Sequence, residues 1–219
     1  VSFVVSVISL SLVHSPEPPP PPHTQRQHVL REVTNGLRFV WKHAVLRAGA
    51  GSAGVFNLFA GMAGTLLVLY LVRDLRITPS GIGLIFATVG VGAFFGAMIA
   101  SRIARVFGVG PALVGSLSLA CIAALLVPLA GSLRFATFPL LVVAEVTIGV
   151  AGPLYSITLT SVCVAVTPGR LQGRMSATTR LLSQGTRSIG PLLGGLLGQV
   201  LGVQATLILA GCGTILSVI

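Results

Sequence analysis

The amino-acid sequence predicts an all-α membrane protein that crosses the bilayer several times, and three observations carry that expectation. The chain is 53% hydrophobic and only 8% charged, whereas a soluble domain carries about 25% charged residues. Its mean hydropathy is +0.97. Apolar runs of spanning length, about 20 residues each, alternate with short segments that hold most of the charge. The net charge of +10 does not point to nucleic acid, because no aromatic residues interleave with the fourteen basic ones as stacking platforms. It reads as charge that sets topology and faces lipid headgroups.

The most informative stretch runs from Thr167 to Gly202. Its first half carries Arg170, Arg174, Arg180 and Arg187, and its second half is uncharged, with Gly190, Gly194, Gly198 and Gly202 four residues apart. On a helix that spacing opens a groove along one face into which another helix can sink. Gly92 and Gly96 repeat the spacing. Gly90-Val91-Gly92 is not a dinucleotide fingerprint: no strand-sized run precedes it and no acidic residue follows at about twenty positions. A lysine of the phosphate-loop type is also missing, so nothing here drives chemistry with ATP, and no cofactor is expected.

Taken in order, Val1 to Val13 is apolar but too short to span and reads as the end of a membrane helix whose beginning is missing. Residues 14–50 read as a linker. Pro16 to Pro22 forms a stiff polyproline spacer. Arg26 to Arg47 then places Val29, Val33, Leu37, Val40 and Trp41 at helical spacing, as in a basic amphipathic helix on a membrane surface. Residues 51–219 hold six apolar segments: Gly51 to Val72, Gly81 to Ala100, Val109 to Ser132, Phe135 to Thr160, Leu181 to Leu201, and a shortened last one, Val203 to Ile219. The chain is therefore expected to be part of a longer one. Cys121, Cys163 and Cys212 lie singly in apolar runs and read as small buried hydrophobes. His14, His23, His28 and His43 lack metal-binding spacing.

Charge bias orients the segments. With the linker in the cytoplasm, one side holds Arg26, Arg31, Arg38, Lys42, Arg47, Arg102, Arg105, Arg170, Arg174 and Arg180, and the other holds Arg73, Arg76 and Arg134. Leaving out Arg187, that is ten basic residues against three, the distribution expected of a cytoplasmic linker. A weak repeat relates Val91–Gly115 to Ile189–Leu209 if four residues at Ser101–Ala104 are omitted. Three helices separate the copies, so they have opposite topology, as inverted repeats do.

These residues carry a resemblance. The Thr167–Gly198 stretch resembles the loop and eleventh helix of major facilitator superfamily exporters, in the enterobactin-exporter and macrolide-efflux-like subgroup. Glu32–Ala48 resembles the linker before their seventh helix. The resemblance implies the C-terminal six-helix half of a twelve-helix transporter, with the N-terminal half of the same transporter as its missing partner. It also implies a counterpart of the family's cytoplasmic loop motif at Ala97, Ser101, Arg102 and Arg105, in which Ser101 stands where the family has Asp.

Glu145 is the sharpest chemical candidate, a carboxylate inside an apolar run. Such charges face a cavity or a partner. It either binds and releases a proton during transport or makes a structural bond, for instance to Arg187. The resulting reading is a secondary active transporter in the cell membrane, not an enzyme, that exports a small amphipathic molecule, a drug or siderophore, by proton antiport. The alternatives are a seven-helix receptor, which has no membrane lysine here to hold retinal, and a transport-inactive fragment.

The charge bias is testable in a cysteine-free background. Single cysteines placed beside Asp74 or Arg134 react with an impermeant maleimide applied to intact cells, and cysteines beside Arg38, Arg102 or Arg174 do not. Labelling of the second group would reverse the orientation.

Overall fold

The computed structural model describes residues 38, 41, 44–131, 136–167 and 169–218. The Val1–Val13 segment, the proline spacer, the linker up to residue 43 apart from Arg38 and Trp41, and Arg134 lie outside these residues. Among residues 44–218 of these, six α-helices follow one another: α1 (Ala44–Leu69), α2 (Pro79–Phe107), α3 (Val109–Ala130), α4 (Thr137–Val166), α5 (Gly169–Leu201) and α6 (Val203–Ile215). A π-helical turn, Tyr70–Asp74, extends α1. Four stretches, Leu46–Asp74, Pro79–Phe107, Val109–Ala130 and Thr137–Val166, are long and apolar enough to cross a membrane.

The helices outrun the apolar segments. Helix α1 begins at Ala44 rather than Gly51. Ser101 to Arg105, expected in a loop, are the last turns of α2. Gly169 to Arg180, also expected in a loop, are the first turns of α5. The reason is that hydropathy marks where lipid ends, not where a helix ends. At about 1.5 Å per residue the 33 residues of α5 reach about 50 Å, well past a hydrocarbon layer of about 30 Å. At the other extreme, α6 has 13 residues and stops at Ile215, short of the Ile219 expected from the apolar run.

Local chemistry sets several ends. Thr78 caps α2 by accepting the N–H of Gly81 at 3.3 Å, with Pro79 at the first helical position. Single glycines with positive φ join α2 to α3 and α5 to α6: Gly108 at φ 85, ψ 162 and Gly202 at φ 87, ψ 159. Side chains rarely adopt that backbone, which is why glycine occupies both turns. Four residues on, the N–H of Ala112 and of Thr206 donates to the glycine carbonyl, at 3.2 Å in each case.

Gly108 and Gly202 are equivalent in the repeat read from the sequence, and the packing carries the equivalence through the bundle. Helix α2 packs on α4 as α5 packs on α1, and α3 packs on α4 as α6 packs on α1. A Cβ on Gly92 would run into the carbonyl oxygen of Val146, and one on Gly190 into that of Leu58. The same added atom would stand 3.1 Å from the Cα of Gly92 if built on Gly149, and 3.1 Å from the Cα of Gly61 if built on Gly190. A Cβ on Gly96 would run into the Val150 carbonyl, one on Gly194 would meet Met62 O at 2.8 Å, and one on Gly198 would meet the Leu66 side chain at 2.9 Å. Triplet α1–α3 therefore corresponds to triplet α4–α6.

The larger cluster of buried apolar residues, which includes Tyr70, Leu71, Ile85, Val127, Leu141 and Leu207, gathers at the end of the bundle where α1 finishes. There the Tyr70 hydroxyl donates to Pro128 O at 3.1 Å and the Gln204 amide donates to the same oxygen at 3.4 Å. Phe94, Met98, Leu192 and Val200 are exposed, an apolar outer surface suited to lipid. Of the cysteines, Cys121 is buried, Cys163 half-buried and Cys212 exposed. The reading of Cys212 as buried is thus corrected: on an apolar outer surface a small hydrophobe need not be inside.

The glycine contacts predict a contrast. Gly194→Leu lowers the apparent melting temperature in detergent, by an overpacking cost of about 1–3 kcal/mol. Gly195→Leu, whose added Cβ meets nothing within 4 Å, melts with the parent.

Candidate functional site

Every buried hydroxyl inside this bundle faces the same physical demand: without water, its proton must go to a neighbour. Ser116 donates to Leu113 O at 2.9 Å, Thr158 to Leu154 O at 2.7 Å, Thr206 to Gly202 O at 2.9 Å and Thr214 to Gly211 O at 2.6 Å. These bonds back to the same helix silence most of the interior polarity. Two charged side chains are not silenced in this way, Glu145 and Arg187.

Glu145 lies on α4, eight residues after Thr137, about 12 Å along the helix at about 1.5 Å per residue. It is 4% exposed. It lines a cavity of about 190 Å³ between α1, α3, α4 and α6, whose other walls include Phe56, Ala63, Leu67, Ala124, Val127 and Leu207. The one other polar side chain on that wall, Thr214, donates its hydrogen to its own helix. Among the described residues Glu145 has neither a hydrogen bond nor an ion pair.

Arg187 is exposed on α5, on the wall of a second cavity of about 440 Å³ that also includes Asn57, Ser116, Tyr155, Ser156 and Ser183. The two cavities share Phe56, Ala120 and Ile148. This apolar partition borders both cavities, and among the described residues no ion pair or hydrogen bond joins Glu145 to Arg187, so the alternative of a bond between them is not realised. Pro191 lacks the N–H that would reach back four residues, so the carbonyl of Arg187 loses its helical donor. That oxygen lies on the α1 contact, where a Cβ built on Gly61 would be 3.2 Å away.

Sequence reasoning missed Asn57 and Tyr155. Gly61 pairs with Gly190 as Gly149 pairs with Gly92, so Asn57, four residues before Gly61, is the repeat counterpart of Glu145. Its amide donates to Ala53 O at 2.8 Å. The signal was an amide inside an apolar run, four residues before a glycine, as Glu145 stands four before Gly149. Tyr155 shares a 3.0 Å hydrogen bond with Ser52, tying α4 to α1.

The remaining candidates lie apart from these cavities. Ser101, Arg102 and Arg105 are exposed at the end of α2, where the Arg105 Nε–H donates to Ser101 O at 3.3 Å. A guanidinium there favours the negative end of the helix. Gly92, Gly96, Gly190, Gly194 and Gly198 are contact points between helices, as described above.

Two triplets of helices, four of the six helices long and apolar enough to cross a membrane, packed through glycine faces around cavities that hold isolated charges, define a polytopic protein of the transporter class. The family model of the Major Facilitator Superfamily matches residues 49–219, and the chain belongs to that superfamily. Its members are transporters rather than enzymes, which overturns the receptor alternative. The comparison with curated proteins finds no match.

The separation of the two charges has a measurable consequence. Glu145→Gln and Arg187→Gln shift the melting temperature independently, and the double variant shows their sum to within about 0.5 kcal/mol. Recovery of stability in the double variant would reveal a bond between them.

Proposed function

We propose that the chain is the C-terminal half of a proton-coupled exporter of a small amphipathic molecule, a drug or siderophore, in the cell membrane, with its linker in the cytoplasm. One observation carries the coupling role: Glu145 is a buried carboxylate with no bonded partner among the described residues. A permanently charged carboxylate in such a cavity is costly, whereas one that takes up and gives off a proton changes its charge at each turnover. The N-terminal half of the same transporter would complete the path, and the two halves would rock about it. The ten-to-three distribution of basic residues supports the orientation.

In the proposed cycle, protonated Glu145 is the form that fits its apolar cavity. Opening of the cavity to water on one side lets the proton leave, and the resulting charge favours reclosure only after another proton or a cationic group has been bound. Arg102 and Arg105 would hold the cytoplasmic end of α2 against headgroup phosphates.

Glu145→Gln keeps the shape and removes the titration. In the full-length protein reconstituted in vesicles, this variant loses export driven by an imposed proton gradient while it still binds substrate. Normal gradient-driven transport by the variant would eliminate the coupling role. Lower expression with unchanged transport per folded molecule would mark Glu145 as structural.

A further inference from the structure

The larger cavity has a chemistry of its own. Arg187 is the one charged side chain on its wall among the described residues, and no carboxylate pairs with it. Most of the other polar groups there have already committed their hydrogens. Ser116 donates to Leu113 O at 2.9 Å, Ser156 to Pro153 O at 3.3 Å, Ser183 to Thr179 O at 2.8 Å and the Asn57 amide to Ala53 O at 2.8 Å. What these groups still offer is mostly lone pairs, on the hydroxyl oxygens and the Asn57 side-chain carbonyl, beside the second Asn57 N–H and the Thr160 hydroxyl. The wall thus presents one forked cation and a set of acceptors over the apolar partition. Its volume of about 440 Å³ is within the range of small-molecule sites, about 300–1,000 Å³.

We propose that this cavity binds a hydroxylated organic anion, with its carboxylate on the Arg187 guanidinium, its apolar body on the Phe56–Ala120–Ile148 partition and its hydroxyl hydrogens directed to the free acceptors. The proposal rests on the transporter reading and names its substrate class. A guanidinium matches a carboxylate in two parallel hydrogen bonds. The hydroxyl oxygens of Ser116, Ser156 and Ser183, whose hydrogens are already given, select against a ligand that lacks donors, because its own acceptors would face theirs. A cationic ligand finds no carboxylate on this wall and meets Arg187 as a like charge.

Three probes of nearly equal size separate the possibilities: 4-hydroxyphenylacetate, its neutral amide, and tyramine. In calorimetric titrations of the purified full-length protein, the anion binds about tenfold or more tightly than the amide, as expected for hydrogen bonds to a charged group, and tyramine binds most weakly. Arg187→Gln removes the advantage of the anion, and Arg187→Lys, which keeps the charge but not the fork, retains part of it. If Arg187→Gln does not fold, the ranking by the parent and by Arg187→Lys decides. The proposal is overturned if the amide or tyramine binds as well as the anion, if the anion does not bind, or if Arg187→Gln keeps the parental affinity. Flux of the same probes from proteoliposomes separates the two readings. Arg187-dependent binding without flux would sink the transporter and leave the site standing. Flux of tyramine in preference to the anion would do the reverse.

Discussion

The close approach of backbones at the glycine faces is the constraint on which the rest of the structure depends. Where Gly92 meets Val146 and Gly190 meets Leu58, there is no room even for a methyl group. In lipid the hydrophobic effect does not draw helices together, so association relies on van der Waals contact and on the few hydrogen bonds available. Small residues maximise the first. Once α2 is fixed on α4 and α5 on α1, helices α3 and α6 close the remaining sides. The cavities are what is left between pairs that touch elsewhere.

The same constraint explains where polarity survives. Hydroxyls can satisfy themselves within one helix, so Ser116, Thr158, Thr206 and Thr214 are structurally quiet. A carboxylate and a guanidinium have no such recourse. Glu145 and Arg187 occur in the second triplet, and Asn57 holds the place of Glu145 in the first. The duplication is therefore close in backbone and unequal in charge. A nearly symmetric frame supplies the packing, and the chemistry resides in its departures from symmetry.

How much of this was legible in the residues follows from what hydropathy measures. Apolar runs identify segments that lipid accepts, and four of the six expected runs coincide with helices long and apolar enough to cross a membrane, whereas Leu181 to Leu201, with Arg187, Gln184 and Gln199, falls short of that hydropathy. Glycines four apart identify faces without side chains, and Gly108 and Gly202 mark two turns because their backbone excludes most other residues. Helix ends beyond the lipid leave no trace in hydropathy, so the turns carrying Arg102, Arg105 and Arg170 resembled loops. The partition between Glu145 and Arg187 was equally hidden, since Phe56, Ala120 and Ile148 come from three different helices. Asn57 became visible as the counterpart of Glu145 only when Gly61 and Gly149 occupied corresponding contacts.

The single-residue joints at Gly108 and Gly202 also bear on how the protein is made. One glycine separates Phe107 from Val109 and Leu201 from Val203, and one residue spans only about 3.8 Å. Such a joint has no slack, so α2 with α3, and α5 with α6, reach the bilayer as hairpins rather than as separate helices.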